Sequence, residues 1–310
     1  MPYTMPMTAP THLLYGEPPA SLIAVPAGAR QCSPLIVGSH ALELEPLGSA
    51  SSAIVYAPAG TVERRYVLAR MLNALAVDAP LTALAPNDKG GNRIAAELEA
   101  FGCDVVAESR SHHRILTTTR PATLTGTEEA IAQGGQLQHP AHGLWTQAGV
   151  FSWDRIDAGS ALLLKHLPAL HGYGADLGCG IGVLARAILQ SLAVQSLACV
   201  DIDRRAIDAA RKNLPDARAQ FLWADIRGGG LPLQPLDFVV MNPPFHDAGI
   251  EDKSLGQAFV TRTAALLKSG GTLWCVANRH LPYEALFASL FTRADTVADA
   301  DGYKIIRAEK

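Results

Sequence analysis

The stretch that most restricts what this chain can become is Ala175-Asp176-Leu177-Gly178-Cys179-Gly180-Ile181-Gly182, an apolar run that turns into three alternating glycines. Such glycines accept left-handed backbone and let the main chain come close to a ligand. With periodic apolar residues over Gly182–Leu192 behind it, the segment reads as strand, tight turn and helix, the unit of a doubly wound α/β sheet. The spacing is G-x-G-x-G, and Val183 stands where a dinucleotide fingerprint needs its third glycine, so the turn does not point to a pyrophosphate. Asp176, just before the turn, suits a cationic amino group.

The pattern around this unit repeats. Helices are expected over Asp157–Leu167, Arg205–Leu214, Leu255–Leu267 and Tyr283–Phe291. Strands are expected over Gly174–Leu177, Ser196–Asp201, Gln220–Ala224, Leu236–Met241, Thr272–Ala277 and Tyr303–Arg307. Ligand is expected at the carboxyl ends of the central strands. A smaller α/β domain precedes it, with strands at Ala53–Pro58, Leu81–Ala85, Asp104–Ala107 and Arg114–Thr119. Its helices are Thr61–Leu75 and Asn92–Phe101. The first 40 residues show weak periodicity, and Pro121–His142 reads as a linker or lid. The expected division is 1–142, without cofactor and substrate-holding, and 143–310, catalytic.

Two further features carry chemistry. Asp201 closes the strand after the glycine turn, about twenty residues on, where an acid accepts bonds from ribose hydroxyls. Asp225, in Ala224-Asp225-Ile226, is placed to meet an adenine amino group, whereas Asp203 suits a helix N-cap. Then Phe238-Val239-Val240-Met241 runs into Asn242-Pro243-Pro244-Phe245. The prolines fix the chain direction and leave carbonyls without competing N–H groups. An Asn oxygen and the Pro243 carbonyl can accept both hydrogens of an amino group conjugated to a ring or carbonyl, while Phe245 offers a stacking face.

Composition narrows the partners. The formal charge is −3, with the part before Leu144 mildly acidic and the rest balanced. A nucleic-acid substrate must therefore be held by local patches and shape rather than by overall charge. Candidate patches are Arg64, Arg65 and Arg70 on one helix and Arg110, His112, His113 and Arg114 on a loop. The five cysteines (Cys32, Cys103, Cys179, Cys199, Cys275) are scattered, and His139 and His142 lack a third ligand nearby, so no disulfide framework and no metal are expected. No apolar stretch is long enough to span a bilayer and no secretion signal is legible, so a cytoplasmic protein is expected.

At this point the chain resembles a family. Gly149-Val150-Phe151-Ser152 with Asp154, Ile156-Asp157-Ala158-Gly159-Ser160, Asp176–Gly180, Asn242-Pro243-Pro244-Phe245-His246-Asp247, Val276-Ala277-Asn278 and Leu281-Pro282-Tyr283 carry the likeness. They are similar to bacterial ribosomal RNA guanine-N2 methyltransferases, two-domain class I enzymes acting on small-subunit (16S) or large-subunit (23S) RNA. The resemblance runs closely over about Thr146 to Ala308 and only faintly before it. It implies a Rossmann-like methyltransferase sheet, S-adenosyl-L-methionine as cofactor (S-adenosyl-L-homocysteine as product) and ribosomal RNA or a ribosomal subunit, 16S foremost, as partner. It further implies a first domain that is a decayed copy of the second. Asn242, Pro243, Pro244 and Phe245 would position the guanine. Asp176, Gly178, Gly180, Gly182, Asp201, Asp225 and Asn242 would hold the cofactor. Phe151 and Ser152 would close over the site, and His246 and Asp247 would order the loop or assist proton loss. Trp153 departs from the family, standing where relatives tend to carry a basic residue. Methylation of a protein glutamine or of adenine N6 fits the same Asn-Pro-Pro loop, although adenine enzymes more often carry Tyr where Phe245 stands. A non-catalytic RNA-binding factor on this scaffold would be expected to show degraded motifs.

Overall fold

The computed structural model describes residues 11–139, 143–228, 231–244, 246–247, 250–251, 253–280 and 283–310. The chain divides into two compact units, one ending at Gln136 and the other Leu137–Lys310. Gln138 and Thr146 pair through their backbones within the second unit.

In the first unit, β1 (His12–Tyr15), β2 (Arg30–Gln31), β3 (Ser52–Tyr56), β4 (Pro80–Pro86), β5 (Val106–Arg110) and β6 (His113–Thr119) form one sheet in the order β2-β1-β3-β4-β6-β5. The first four are parallel, and β6 is antiparallel to both β4 and β5. Its helices are α1 (Thr61–Ala74), α2 (Gly91–Ala100) and α3 (Thr127–Gly134). α1 buries residues on several faces, including Tyr66, Val67, Leu68, Met71 and Leu72.

Three features here correct the sequence reading. The first 40 residues contribute β1 and β2 to the sheet, and the expected linker contains α3. Gly134 and Gly135 read as breakers, yet each lies against Tyr66 of α1: a Cβ on either would come within 2.5 Å of it. The glycines let α3 pack closely against α1, and the helix ends at them, Gly135 being its C-cap. Arg64 is not an RNA contact. It is fully buried, and its Nε and Nη2 donate to Glu97 at 2.8 and 2.7 Å. Its Nη1 donates to the carbonyls of Pro58 and Ala59 at 3.2 and 2.7 Å.

The second unit opens with α4 (Ala158–His166) and β7 (Gly172–Leu177), followed by α5 (Val183–Ile188), β8 (Val194–Asp201), α6 (Arg204–Asn213), β9 (Ala219–Trp223) and β10 (Leu236–Met241). A two-residue ribbon, β11 (His246–Asp247) and β12 (Ile250–Glu251), then precedes α7 (Lys253–Leu266), β13 (Leu267–Asn278), α8 (Glu284–Leu290), β14 (Arg293–Ala300) and β15 (Tyr303–Glu309). The main sheet runs β14-β15-β13-β10-β7-β8-β9. It is parallel from β13 to β9, with β15 antiparallel to β13 and β14. This is the doubly wound, Rossmann-like sheet expected from the sequence, with an antiparallel edge. α5 is shorter than its sequence pattern suggested, ending at Ile188 in a turn where Arg218 donates to the Leu189 carbonyl at 2.6 Å.

β10 shows why the sheet is buried on both faces. Val239 and Met241 point into one core with Phe259 of α7 and Phe287 of α8; Phe238 and Val240 point into another with Leu163 of α4 and Ile188 of α5. Gly174 of β7 gives the Phe238 ring its place, since a Cβ there would sit 2.1 Å from it.

Apart from β9, the two sheets repeat one another. Strand for strand, β2-β1-β3-β4-β6-β5 matches β8-β7-β10-β13-β15-β14 in order and in polarity. Gly16 follows β1 with positive φ as Gly178 follows β7. In that register Leu14, paired with Ile54, takes the place of Asp176, paired with Val240.

Candidate functional site

Strand register brings the candidate residues together. Leu177 pairs with Met241 on one side and with Val200 on the other. The next residues, Gly178, Asn242 and Asp201, therefore emerge side by side at the carboxyl ends of β7, β10 and β8. The turn after β7 is held in the left-handed region at Gly178, Gly180 and Gly182, with φ of 78, 52 and 88°. A Cβ on Gly178 would meet the Phe259 ring at 3.5 Å and the Asn242 carbonyl at 3.9 Å, so the turn lies directly against the Asn-Pro-Pro loop. A Cβ on Gly180 would meet nothing within 4 Å. At Gly180 the turn faces open space that a ligand can fill.

Two acids line this turn. Asp176 is fully buried; its Oδ2 accepts from the Ala185 N–H at 3.1 Å, and its Oδ1 has no partner among the described residues. Burial pushes the carboxyl up to about 7, against the Ala185 bond, and the nearby Asp201 charge raises it further. Asp201 accepts from Gly180 N at 2.8 Å and Asp203 N at 2.9 Å. Loss of solvent pushes it up to about 6, the Asp203 N–H working against this. Each Asp201 oxygen keeps lone-pair capacity for a hydroxyl. A buried carboxyl with an unused oxygen fits a ligand ammonium; a strand-end carboxyl beside it fits a diol.

These two groups also set a pH dependence. Their folded values lie above the ordinary one of 3.8, so their contribution to stability is full below that value and is lost as pH rises through 6 and 7. The unliganded protein is thus expected to melt at a lower temperature at pH 8 than at pH 5.5. Asp176→Asn should flatten that slope. Thermal unfolding across this range checks it, and a variant with an unchanged slope would contradict it.

The remaining candidates fall as follows. Asp225 lies in the turn past β9 rather than on the strand, and Arg227 engages both its oxygens, Nε to Oδ1 at 2.9 Å and Nη2 to Oδ2 at 2.8 Å. That pairing holds its carboxyl below the ordinary value. Asp203 is the N-cap of α6, accepting from Arg205 N at 2.9 Å. Val150 is buried with Ile181 of the glycine turn, which fixes the Gly149–Ser152 loop next to it. Phe151 stays 68 % exposed, and Ser152 has φ 50°. Pro243 is buried and Pro244 exposed. His246 and Asp247 form β11, while Phe245 and His142 lie outside the described residues.

Asn242 is the most constrained of these side chains. Its Nδ2 donates to Asp157 Oδ2 at 2.8 Å and to Ser160 Oγ at 2.9 Å. Asp157 is itself the N-cap of α4, accepting from Ser160 N at 2.8 Å. Among the described residues no donor reaches Asn242 Oδ1. Neither Asp157 nor Ser160 was singled out as a site residue from sequence. The available signals were the D-x-x-S start of a helix, which by itself says only that the helix is capped, and the place of Ile156–Ser160 among the segments that resemble the family, which assigns no role.

A family model for the methyltransferase small domain matches residues 141–307. Ribosomal RNA small subunit methyltransferase C of Shewanella baltica (strain OS195) is 33% identical over 266 residues, covering 82% of this chain and 74% of the relative. The protein of the same name from Shewanella denitrificans is 31% identical over 265 residues, covering 84% and 76%. Among solved structures, the T. thermophilus 16S rRNA N2 G1207 methyltransferase in complex with AdoMet and guanosine superposes with a TM-score of 0.74. It is 25% identical and covers 92% of this chain and 78% of its own. The family match, the sequence shared across both units and the shared overall fold agree: the chain belongs to the methyltransferase small domain family, alongside the ribosomal RNA small subunit methyltransferases C.

Proposed function

We propose that this chain transfers a methyl group from S-adenosyl-L-methionine to the exocyclic N2 of a guanine in 16S ribosomal RNA. The observation that carries this reading is the Asn242 amide, held by its nitrogen with its oxygen open beside the glycine turn. A small-subunit guanine-N2 activity in the structural relative, and small-subunit names in the sequence relatives, support the choice of target.

The buried carboxyl of Asp176 takes the amino group of the cofactor, Gly178, Gly180 and Gly182 give its chain room, and Asp201 takes the ribose hydroxyls. Asp225, already paired with Arg227, contributes to the adenine end. Bound S-adenosylmethionine supplies an electrophilic methyl on a neutral leaving thioether. Asn242 Oδ1 and the Pro243 carbonyl accept the two hydrogens of the guanine amino group, which turns its lone pair toward the glycine turn. Pro244 stiffens the loop and Phe245 stacks the base. Holding one nitrogen in line supplies much of the rate. Once methylated, the nitrogen loses its proton readily, so no strong general base is required. Phe151 and Ser152 close over the bound base, and His246 and Asp247 order the loop.

The first unit, residues 1–142 in the sequence division, holds RNA without binding cofactor. Leu14 in the register of Asp176 supports this, since it leaves no acid for an ammonium. A ribosomal substrate places the enzyme in the cytoplasm. Among the described residues, no helix is long and apolar enough to cross a membrane, and no cluster of His, Cys, Asp and Glu is arranged to hold a metal ion.

Tritium transfer from labelled S-adenosylmethionine to purified 30S and 50S subunits, followed by nucleoside chromatography, tests the reading. Label is expected in N2-methylguanosine from 30S RNA. Label in protein instead, as N5-methylglutamine, or in N6-methyladenosine, would replace the proposed target.

A further inference from the structure

We propose that Asp157 and Ser160 are positioning residues of the transfer step, fixing which end of the Asn242 amide meets the incoming amino group. The proposal rests on the reading of Asn242 given above. An Asn side chain presents an acceptor at one end and a two-hydrogen donor at the other, and the two ends have nearly the same shape. If Nδ2 faced the substrate, donor would meet donor and the amino group would be turned away. The loop must therefore select one orientation.

The selection comes from α4. Asp157 Oδ2 lies 2.8 Å from Asn242 Nδ2, and a carboxylate has no hydrogen to give, so only the amide nitrogen can face it. Ser160 Oγ accepts from the same nitrogen at 2.9 Å. Both Nδ2 hydrogens are thereby used, and Oδ1 is left as the end open to substrate. The Asp157 oxygen that orients Asn242 is also the one that caps α4 through Ser160 N at 2.8 Å. The orienting carboxylate is thus anchored to backbone at a helix start instead of swinging on a free side chain. Such support from a rigid element is what holds a reacting group to its productive geometry.

Two substitutions separate orientation from helix capping. Ser160→Ala removes an acceptor and leaves the cap, which uses the Ser160 backbone N–H. Asp157→Ser keeps a good N-cap residue and withdraws the carboxylate from Asn242. Single-turnover tritium transfer to small subunits, with the full-length protein, is expected to slow about 10²-fold in the double variant, the scale of a misplaced reacting group. The KM for S-adenosylmethionine and the melting temperature should stay near wild type. Asp157→Asn, whose side-chain oxygen can still cap and accept at the same place, should recover most of the rate. In an Asn242→Ala background the two changes should lower the residual rate by less than about twofold, since they act only through Asn242.

Wild-type turnover in the Asp157→Ser, Ser160→Ala protein beside an inactive Asn242→Ala would overturn the proposal and leave the reading of Asn242 standing. Equal losses with and without Asn242 would also overturn it, assigning the pair to folding of the helix start. Wild-type turnover in Asn242→Ala would remove the reading itself and the proposal with it.

Discussion

Asn242→Ala is expected to slow methyl transfer by about 10²–10³-fold, the range found when one preorganised polar contact is removed from a reacting group. That corresponds to about 2.7–4 kcal/mol of lost transition-state stabilisation. The effect is large because the amide cannot be replaced by its surroundings. Its neighbours on α4, Asp157 and Ser160, accept from its nitrogen and sit behind it. Without the side chain, Pro243 retains a carbonyl, but one acceptor cannot fix the plane of an amino group. Calorimetry should show S-adenosylmethionine binding weakened far less than transfer, since Asn242 is one cofactor contact among several and Asp176 and Asp201, on other strands, are untouched. Near-normal transfer in this variant would sink the mechanism.

Arg64→Met is expected to destabilise the first unit by about 3–5 kcal/mol, the usual cost of removing one partner of a buried ion pair. Glu97 is 7 % exposed and would be left buried without its partner. The carbonyls of Pro58 and Ala59 would lose their donor as well. Urea unfolding followed by far-UV circular dichroism measures this. Tryptophan fluorescence would miss it, because Trp145, Trp153, Trp223 and Trp274 all lie in the second unit. Adding Glu97→Leu should restore most of the loss, as replacing a whole buried pair by apolar groups is often neutral. An unchanged midpoint in Arg64→Met would mean the pair contributes little. Methylation per folded molecule should not fall, since Arg64 reaches no surface.

What the sequence makes legible follows from how local each signal is. The glycine turn, Asp201 and the Asn-Pro-Pro loop are read from adjacent residues, and β10 is found at its expected limits, Leu236–Met241. β14 escaped because Arg293–Ala300 is an edge strand whose side chains are mostly exposed, so no apolar alternation marks it. α3 escaped because it is only two turns long and ends in Gly134 and Gly135, which also pack against Tyr66, so the break was legible and the helix before it was not. Arg64 on α1 looked like surface charge because its partner is on another helix, at Glu97. Asp157 and Ser160 are the clearest case. Their bond to Asn242 joins α4 to the end of β10 across more than eighty positions of sequence, and no window along the chain contains both.

The matched strand orders have a consequence for any attempt to revive the first half as a second catalyst. The loop after β3, Ala57-Pro58-Ala59, leaves its strand where Pro243-Pro244 leaves β10, with Tyr56 at the register of Asn242. Its carbonyls are not idle: the planar guanidinium of Arg64 donates to Pro58 and Ala59, much as an incoming amino group would donate to Pro243. The corresponding place in the first unit is thus filled from within by a side chain that mimics such a donor. Restoring an acid at Leu14 and glycines after Gly16 would therefore not reopen it, because the mimic and its counter-charge on α2 would have to leave together.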